Sequence, residues 1–193
     1  MGTSALIVMN IQQDFTGENA AFPVETVSIP VLLCNINRAI AKAHLKGMEV
    51  VYITTEYPER SWVGKWSKKG AAIEGTEGTL LDERLKLVND VAFSKCRNSA
   101  FTNDRLAVYL QEYKIKNIIL AGAFLETCIR STALEARRKG YRVTVIEDAS
   151  GGKVQKEKQE ALALMKKKGV KVLPLEEIEE FFYNSEMTKM KNN

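Results

Sequence analysis

Residues 118–146 read IILAGAFLETCIRSTALEARRKGYRVTVI and decide the fold class. The apolar run at residues 118–121 is typical of a buried strand, and Gly122 ends it. Residues 128–139 then have the pattern of a helix, and residues 143–146 form a second, β-branched strand. A strand, a helix and a strand in this order make a right-handed βαβ unit, so the two strands are predicted to be parallel.

The same alternation continues in both directions along the chain. Further strands are predicted at residues 5–9, 50–54, 91–94 and 170–172, and helices at residues 28–47, 79–88, 102–113 and 155–168. The irregular residues 56–78 interrupt this pattern. Six strands with intervening helices predict an α/β fold of three layers, in which a mainly parallel six-stranded sheet carries helices on both faces.

Composition excludes several classes of protein. The 193 residues carry 28 Lys and Arg against 24 Asp and Glu, a net charge of +4 that is too small and dispersed to predict nucleic-acid binding. The length predicts a single domain over residues 1–193, and no apolar run reaches the ~18 residues of a membrane helix. Three cysteines without paired spacing, and no visible signal peptide, predict a cytoplasmic location. The single histidine, His44, argues against a multi-histidine metal site.

Functional residues are expected after the carboxyl ends of the strands in such a sheet. Cys128 begins a predicted helix there, where free N–H groups stabilise a thiolate or a developing oxyanion. Lys95 ends another apolar strand, where its ammonium can hold a thiolate or position a carbonyl group. Position alone leaves the alternatives open that Cys128 is a packing residue and Lys95 a solvent-exposed one. Cys34, within the first long helix, is predicted to pack, and Cys96 to be structural.

Four segments together resemble the isochorismatase-like cysteine hydrolase family, which includes nicotinamidases, N-carbamoylsarcosine amidases and isochorismatases. They are the opening LIVMNIQQDF at residues 6–15, residues 73–78, the block Lys-x-Arg-x-Ser-Ala-Phe at residues 95–101, and residues 122–148. The block and the downstream Gly-to-Cys spacing form a specific combination, and the resemblance covers nearly the whole chain.

The resemblance implies an Asp–Lys–Cys constellation, with Cys128 at the nucleophile position and Lys95 at the lysine position. It also implies an oxyanion hole made of the backbone N–H groups of Phe124 and Cys128, with a cis peptide bond between Ala123 and Phe124. The sequence departs from the family at the first position, where Asn10 stands in place of the aspartate. An amide is not a base at neutral pH, and loss of a general acid or base typically costs about 10²–10⁴-fold in rate.

Three explanations of Asn10 stay open: an engineered Asp→Asn change, a natural member with weak or altered chemistry, or a binding protein on an enzyme scaffold. Asp14 matches a second acidic position of the family and is not assumed to substitute for the aspartate. The loop after the second strand lacks the histidines of the metal-dependent nicotinamidases. We therefore expect no metal and no other cofactor.

The expected function is a cysteine-dependent amidohydrolase that acts on a small amide or carbamoyl compound through a Cys128 thioester and that Asn10 impairs. The alternatives are an isochorismatase-type vinyl ether hydrolase and a non-catalytic ligand-binding member of the family. The expected partners are a small-molecule substrate and further copies of this chain in a dimer or tetramer, without nucleic acid or membrane. Candidate pocket residues are Phe15, Tyr57, Trp62, Trp66 and Phe124.

Overall fold

The computed structural model describes residues 3–60 and 69–178. Within these ranges the strands are β1 (Thr3–Met9), β2 (Glu49–Thr55), β3 (Ala92–Lys95), β4 (Ile115–Gly122), β5 (Arg142–Ser150) and β6 (Lys171–Leu173). The α-helices are α1 (Gln13–Thr16), α2 (Ile29–Leu45), α3 (Asp104–Glu112), α4 (Arg130–Arg138) and α5 (Gln155–Lys167). Single 3-10 turns lie at Glu77–Thr79 and Ala100–Thr102, and a π-helical turn at Leu125–Ile129.

The six strands form one parallel sheet in the order β3-β2-β1-β4-β5-β6. The connections β1 to β2 and β4 to β5 run in opposite directions across it, so right-handed crossovers place α2 and α4 on opposite faces. Of these helices, α2 packs on β1, β2, β4 and β5, α3 packs on β4, and α4 packs on β5 and contacts α5. The predicted three-layer α/β class is confirmed.

The strand order reverses between β1 and β4, and this reversal opens a crevice at their carboxyl ends. Every residue of 5–9 in β1 is at most 1% exposed, because helices cover both faces of the sheet. The chain after β1 stays buried but becomes polar, which marks the crevice as the place to look for a site. Among the described residues, no helix combines the length and apolar character needed to cross a membrane.

The helix predicted at residues 79–88 is wrong. After Glu77–Thr79 this segment forms bends and turns around the buried side chain of Asp82. The Asp82 carboxylate accepts hydrogen bonds from Thr16 Oγ1 at 2.7 Å and from the backbone N–H of Arg84 at 3.0 Å. Side-chain hydrogen bonds of this kind compete with a helical backbone ladder, which the apolar spacing alone does not reveal.

Gly122 ends β4 where the sheet backbone passes close to β1. Its φ is +133°, and a Cβ at this position would lie 2.1 Å from the Met9 carbonyl oxygen. We expect Gly122→Ala to lower the free energy of unfolding by about 2 kcal/mol or more, because strain and clash add. Urea denaturation measures this loss.

Gly140 offers a matched control for that substitution. Its φ is +91°, but no atom lies within 4 Å of an added Cβ, so Gly140→Ala should cost only the backbone strain of about 1 kcal/mol. Equal losses in the two variants would contradict the close approach of β1 and β4 at Gly122.

Lys158 of α5 has its ammonium buried beneath β5. Its Nζ donates to the Ser150 carbonyl oxygen at 2.8 Å. Burial lowers the pKa of Lys158, and the charges of nearby carboxylates, Glu147 first among them, only partly oppose this. Between that lowered pKa and the ordinary value of 10.5, the unfolded chain binds a proton that the folded chain does not. The free energy of unfolding should therefore rise with pH across this window.

Lys158→Met should lose this rise, because the titrating group is gone. Lys156→Met, which removes an exposed lysine of the same helix, should keep it. Urea denaturation of both variants at a series of pH values up to 10.5 makes the comparison. Parallel stability curves for the two variants would contradict the buried state of Lys158.

Candidate active site

Asn10 follows β1 directly, at the reversal in strand order, and is fully buried. Its backbone adopts a left-handed φ of +57°, which asparagine tolerates better than most residues. The Asn10 N–H donates to the Ile53 carbonyl oxygen at 2.7 Å, so the chain leaves the sheet immediately after its last ladder bond. The side chain is held on both sides: Oδ1 accepts from Thr55 Oγ1 at 2.8 Å, and Nδ2 lies 3.5 Å from the Ala123 carbonyl oxygen.

Lys95 lies between Cys128 and Thr55, the residue that is hydrogen-bonded to Asn10. Its Nζ donates to Thr55 Oγ1 at 2.7 Å and to the Arg97 carbonyl oxygen at 3.0 Å, and lies 3.5 Å from Cys128 Sγ. The exposed fractions of Asn10, Lys95 and Cys128 are 0%, 4% and 6%, so little water screens the ammonium from the sulfur. The structure thus brings together all three residues that the sequence placed in the constellation.

Gln12 fixes the position of Thr55 from the opposite side. Its Oε1 accepts from the Thr55 N–H at 2.7 Å, and its Nε2 donates to the carbonyl oxygens of Thr55 at 3.0 Å and Thr79 at 2.9 Å. Gln12 is fully buried, so these bonds have no competition from water. Gln12 and Thr55 are positioning residues that the sequence reasoning missed. Thr55 ends β2, and Gln12 follows the end of β1 by three residues, within the segment that carries the family resemblance.

Cys128 lies inside the π-helical turn Leu125–Ile129, two residues before α4 begins. Phe124 precedes the turn with left-handed φ and ψ of +62° and +61°. Its carbonyl oxygen accepts from the N–H groups of Thr127 at 3.1 Å, Cys128 at 2.8 Å and Ile129 at 3.2 Å. The turn therefore places the Cys128 sulfur next to Lys95. The backbone N–H groups of residues 127–129 are hydrogen-bonded within the turn. The expected helix start at residue 128 is two residues too early.

The predicted oxyanion hole is not assembled. No cis peptide bond occurs among the described residues, so the prediction of one between Ala123 and Phe124 is wrong. The left-handed Phe124 backbone turns the chain with trans peptides instead. The Cys128 N–H, one of the two predicted donors, is directed at the Phe124 carbonyl oxygen rather than at the crevice.

Aromatic side chains flank the turn. The Phe15 and Phe124 rings meet edge to face with centroids 4.8 Å apart, and Phe22, which the sequence reasoning missed, lies 5.5 Å from Phe124. The pKa of Tyr57 is raised to about 12. The main cause is burial of the side chain, and charge repulsion from Cys128 and Cys96 adds to it. The Tyr57 phenol is thus a protonated neighbour of the cysteine at neutral pH.

Two predicted pocket residues, Trp62 and Trp66, lie outside the described residues, so their role stays a prediction. Cys34 and Cys96 are both exposed. The prediction that Cys34 packs is therefore wrong, because it falls on the outer face of α2. Neither cysteine belongs to the site.

Asp14 does not replace the missing carboxylate, because its own side chain is used elsewhere. Its Oδ2 accepts from the Ala72 N–H at 2.7 Å and fills the space beside Gly78. Glu56 Oε1 accepts from Thr54 Oγ1 at 2.9 Å. Across residues 3–60 and 69–178, no group of three or more His, Cys, Asp or Glu side chains could hold a metal ion.

In this parallel α/β sheet, a buried cysteine lies beside a lysine ammonium at the carboxyl edge. The arrangement places the chain among α/β proteins with a candidate thiol nucleophile. The family model of the isochorismatase domain matches residues 4–177, and the chain belongs to the isochorismatase family. The resemblance that the sequence motifs indicated is confirmed.

Individual relatives agree with this membership. A probable inactive nicotinamidase from Arabidopsis thaliana is 29% identical over 185 residues, which cover 90% of this chain and 93% of that protein. A ureidoacrylate amidohydrolase from Pseudomonas savastanoi pv. phaseolicola is 26% identical over 175 residues, covering 77% and 71% of the two chains. The crystal structure of an isochorismatase-like hydrolase from Alkaliphilus metalliredigens shares the fold, with a TM-score of 0.84 at 21% identity over 93% of this chain and 99% of that one.

Proposed function

We propose that this chain is a cysteine-dependent amidohydrolase for a small amide or carbamoyl compound, and that Asn10 limits its rate. The observation that carries the proposal is the 3.5 Å contact between Lys95 Nζ and Cys128 Sγ, both on buried residues. The name of one relative, a ureidoacrylate amidohydrolase, supports the amidohydrolase activity. The name of another, a probable inactive nicotinamidase, supports a reduced rate.

The reaction would use Cys128 as nucleophile. Its sulfur attacks the amide carbonyl carbon, the C–N bond breaks, and ammonia or an amine leaves with a proton while a thioester forms. Water then hydrolyses the thioester and restores the thiol. The Lys95 ammonium attracts the negative charge of the attacking thiolate and of the developing oxyanion.

The proton balance of these steps explains why Asn10 matters. The thiol must lose a proton before attack, and the leaving nitrogen must gain one. The Thr55 hydroxyl links Asn10 to Lys95: it donates to Asn10 Oδ1 at 2.8 Å and accepts from Lys95 Nζ at 2.7 Å. Residue 10 is therefore part of the hydrogen-bonded chain that leads to Lys95. An amide there keeps the hydrogen bonds but can neither take nor return the proton.

The test is ammonia release from a panel of small amides and carbamoyl compounds. We expect slow release that Cys128→Ser abolishes and that Cys96→Ser, which removes an exposed cysteine, leaves unchanged. Release that survives Cys128→Ser would contradict the thiol mechanism. Hydrolysis of a vinyl ether that is insensitive to Cys128→Ser would favour the isochorismatase-type reaction instead.

A further inference from the structure

A basic groove lies beside the crevice, between the loop after β3 and the outer face of α4. It is a shallow groove, largely open to solvent, with a volume of about 640 Å³. Arg97 comes from the loop, Arg130 and Arg138 from α4, and Leu164 from α5. Asn10, Lys95 and Cys128 are not among the lining residues, so the groove is separate from the candidate active site.

The groove has an excess of positive charge. Among the described residues, no carboxylate forms an ion pair with Arg97, Arg130 or Arg138. The one acid in the lining, Glu135, already accepts a hydrogen bond from Ser99 Oγ at 2.5 Å and lies 3.9 Å from Lys139 Nζ. The three arginines of the lining therefore have no acidic partner in the part of the chain that the structure describes, and the Arg138 Nε–H donates to the Leu134 carbonyl oxygen at 3.4 Å.

The spacing of these groups indicates the shape of a ligand. One row along α4 consists of residues spaced four apart: Arg130, Leu134 and Arg138. At the helical rise of about 1.5 Å per residue, this row is about 12 Å long. Leu134 lies between the two arginines, and Leu164, which is 37% exposed, adds apolar surface from the neighbouring helix. The lining thus combines an apolar patch with guanidinium groups at both ends of the row.

We propose that this groove binds a small phosphorylated ligand with an apolar ring, of the class of a nucleoside diphosphate. Guanidinium groups bind phosphate oxygens through paired, charge-assisted hydrogen bonds, and three of them match a multiply charged phosphate better than a single carboxylate. The apolar patch of Leu134 and Leu164 suits the face of a base. This proposal does not depend on the hydrolase activity.

The groove is also close in the chain to the reacting groups. The Arg97 carbonyl oxygen accepts from Lys95 Nζ at 3.0 Å, and Arg130 follows Cys128 by two residues. A ligand that binds both arginines would therefore contact the two segments that carry the lysine and the nucleophile.

The test is binding of ADP and of inorganic pyrophosphate to the full chain, measured by calorimetry and thermal shift at constant ionic strength, with malonate as a dicarboxylate comparison. We expect saturable ADP binding, with Tm raised by roughly 3–5 °C at ten times Kd, and much weaker malonate binding. Arg97→Gln and Arg130→Gln should each weaken ADP binding tenfold or more. Leu164→Gln should weaken ADP but not pyrophosphate.

Arg105→Gln is the control, because it removes an exposed arginine of α3 outside the groove and should leave ADP binding unchanged. The Tm of each free variant checks its folding. Absence of saturable ADP binding, equal affinity in the groove variants and Arg105→Gln, or malonate binding as tight as that of ADP would each overturn the proposal.

Discussion

Replacing Asn10 with aspartate is expected to raise amide hydrolysis by about 10²–10⁴-fold, the usual contribution of a general acid or base. A carboxylate fits the same space, and one of its oxygens would keep the 2.8 Å hydrogen bond from Thr55 Oγ1. The second oxygen would replace Nδ2, 3.5 Å from the Ala123 carbonyl oxygen. Burial and the facing carbonyl oxygen favour the protonated carboxyl group, whereas the Lys95 ammonium, linked through the Thr55 hydroxyl, favours the carboxylate. A carboxyl group at this position can take the thiol proton and return it to the leaving nitrogen.

The measurement is the rate of ammonia release from the amide panel. Asn19→Asp is the matched control, because it makes the same chemical change at an exposed position and should leave the rate unchanged. The double variant Asn10→Asp/Cys128→Ser should lose the gain completely. A rate that Asn10→Asp does not change, in a variant that keeps its Tm, would contradict the role assigned to residue 10.

Replacing Lys95 with methionine is expected to slow alkylation of Cys128 by iodoacetamide about tenfold or more. The Lys95 ammonium lies 3.5 Å from Cys128 Sγ with little water between, and the thiolate that reacts is the charged form which this ammonium attracts. Methionine has a similar length without the charge, so packing is largely kept. Because Cys34 and Cys96 are exposed and would react as well, both are first changed to serine.

Lys116→Met in the same background is the control, since Lys116 is exposed on β4. It should alkylate at the rate of the parent. Iodoacetamide needs no knowledge of the substrate, so this prediction can be tested even if the amide panel is silent. Equal alkylation rates for Lys95→Met and Lys116→Met would mean that the contact between the lysine and the cysteine has no chemical effect.

The sheet could be predicted from the sequence because its strands are buried on both faces and appear as continuous apolar runs, as β1 and β4 do. The strand ends followed, and with them the candidates Lys95 and Cys128, whereas Asn10 was assigned through the family resemblance. The irregular region after β2 could not be predicted in the same way. The helix expected at residues 79–88 failed because hydrogen bonds of the buried Asp82 replace a helical ladder there, and side chains far away in sequence complete them.

The finer geometry of the site was beyond the sequence for a similar reason. Thr55 joins Asn10 to Lys95 across 45 and 40 residues, and no local pattern encodes such contacts. The turn at Phe124 was misjudged in detail: a left-handed residue, not a cis peptide bond, redirects the chain, and the Cys128 N–H is used within the turn. Residue identity therefore predicted which groups meet, and the structure supplied how they are held.

The central claim is that Cys128 forms a covalent thioester with an amide substrate, and mass spectrometry of the acid-quenched Asn10→Asp variant tests it most directly. The account predicts, for at least one compound of the panel, a peptide carrying Cys128 whose mass is raised by that of the substrate less ammonia or amine, absent from the Cys128→Ser double variant. The contradicting result would be ammonia release that continues in the Cys128→Ser double variant while no such adduct is found in the Asn10→Asp variant.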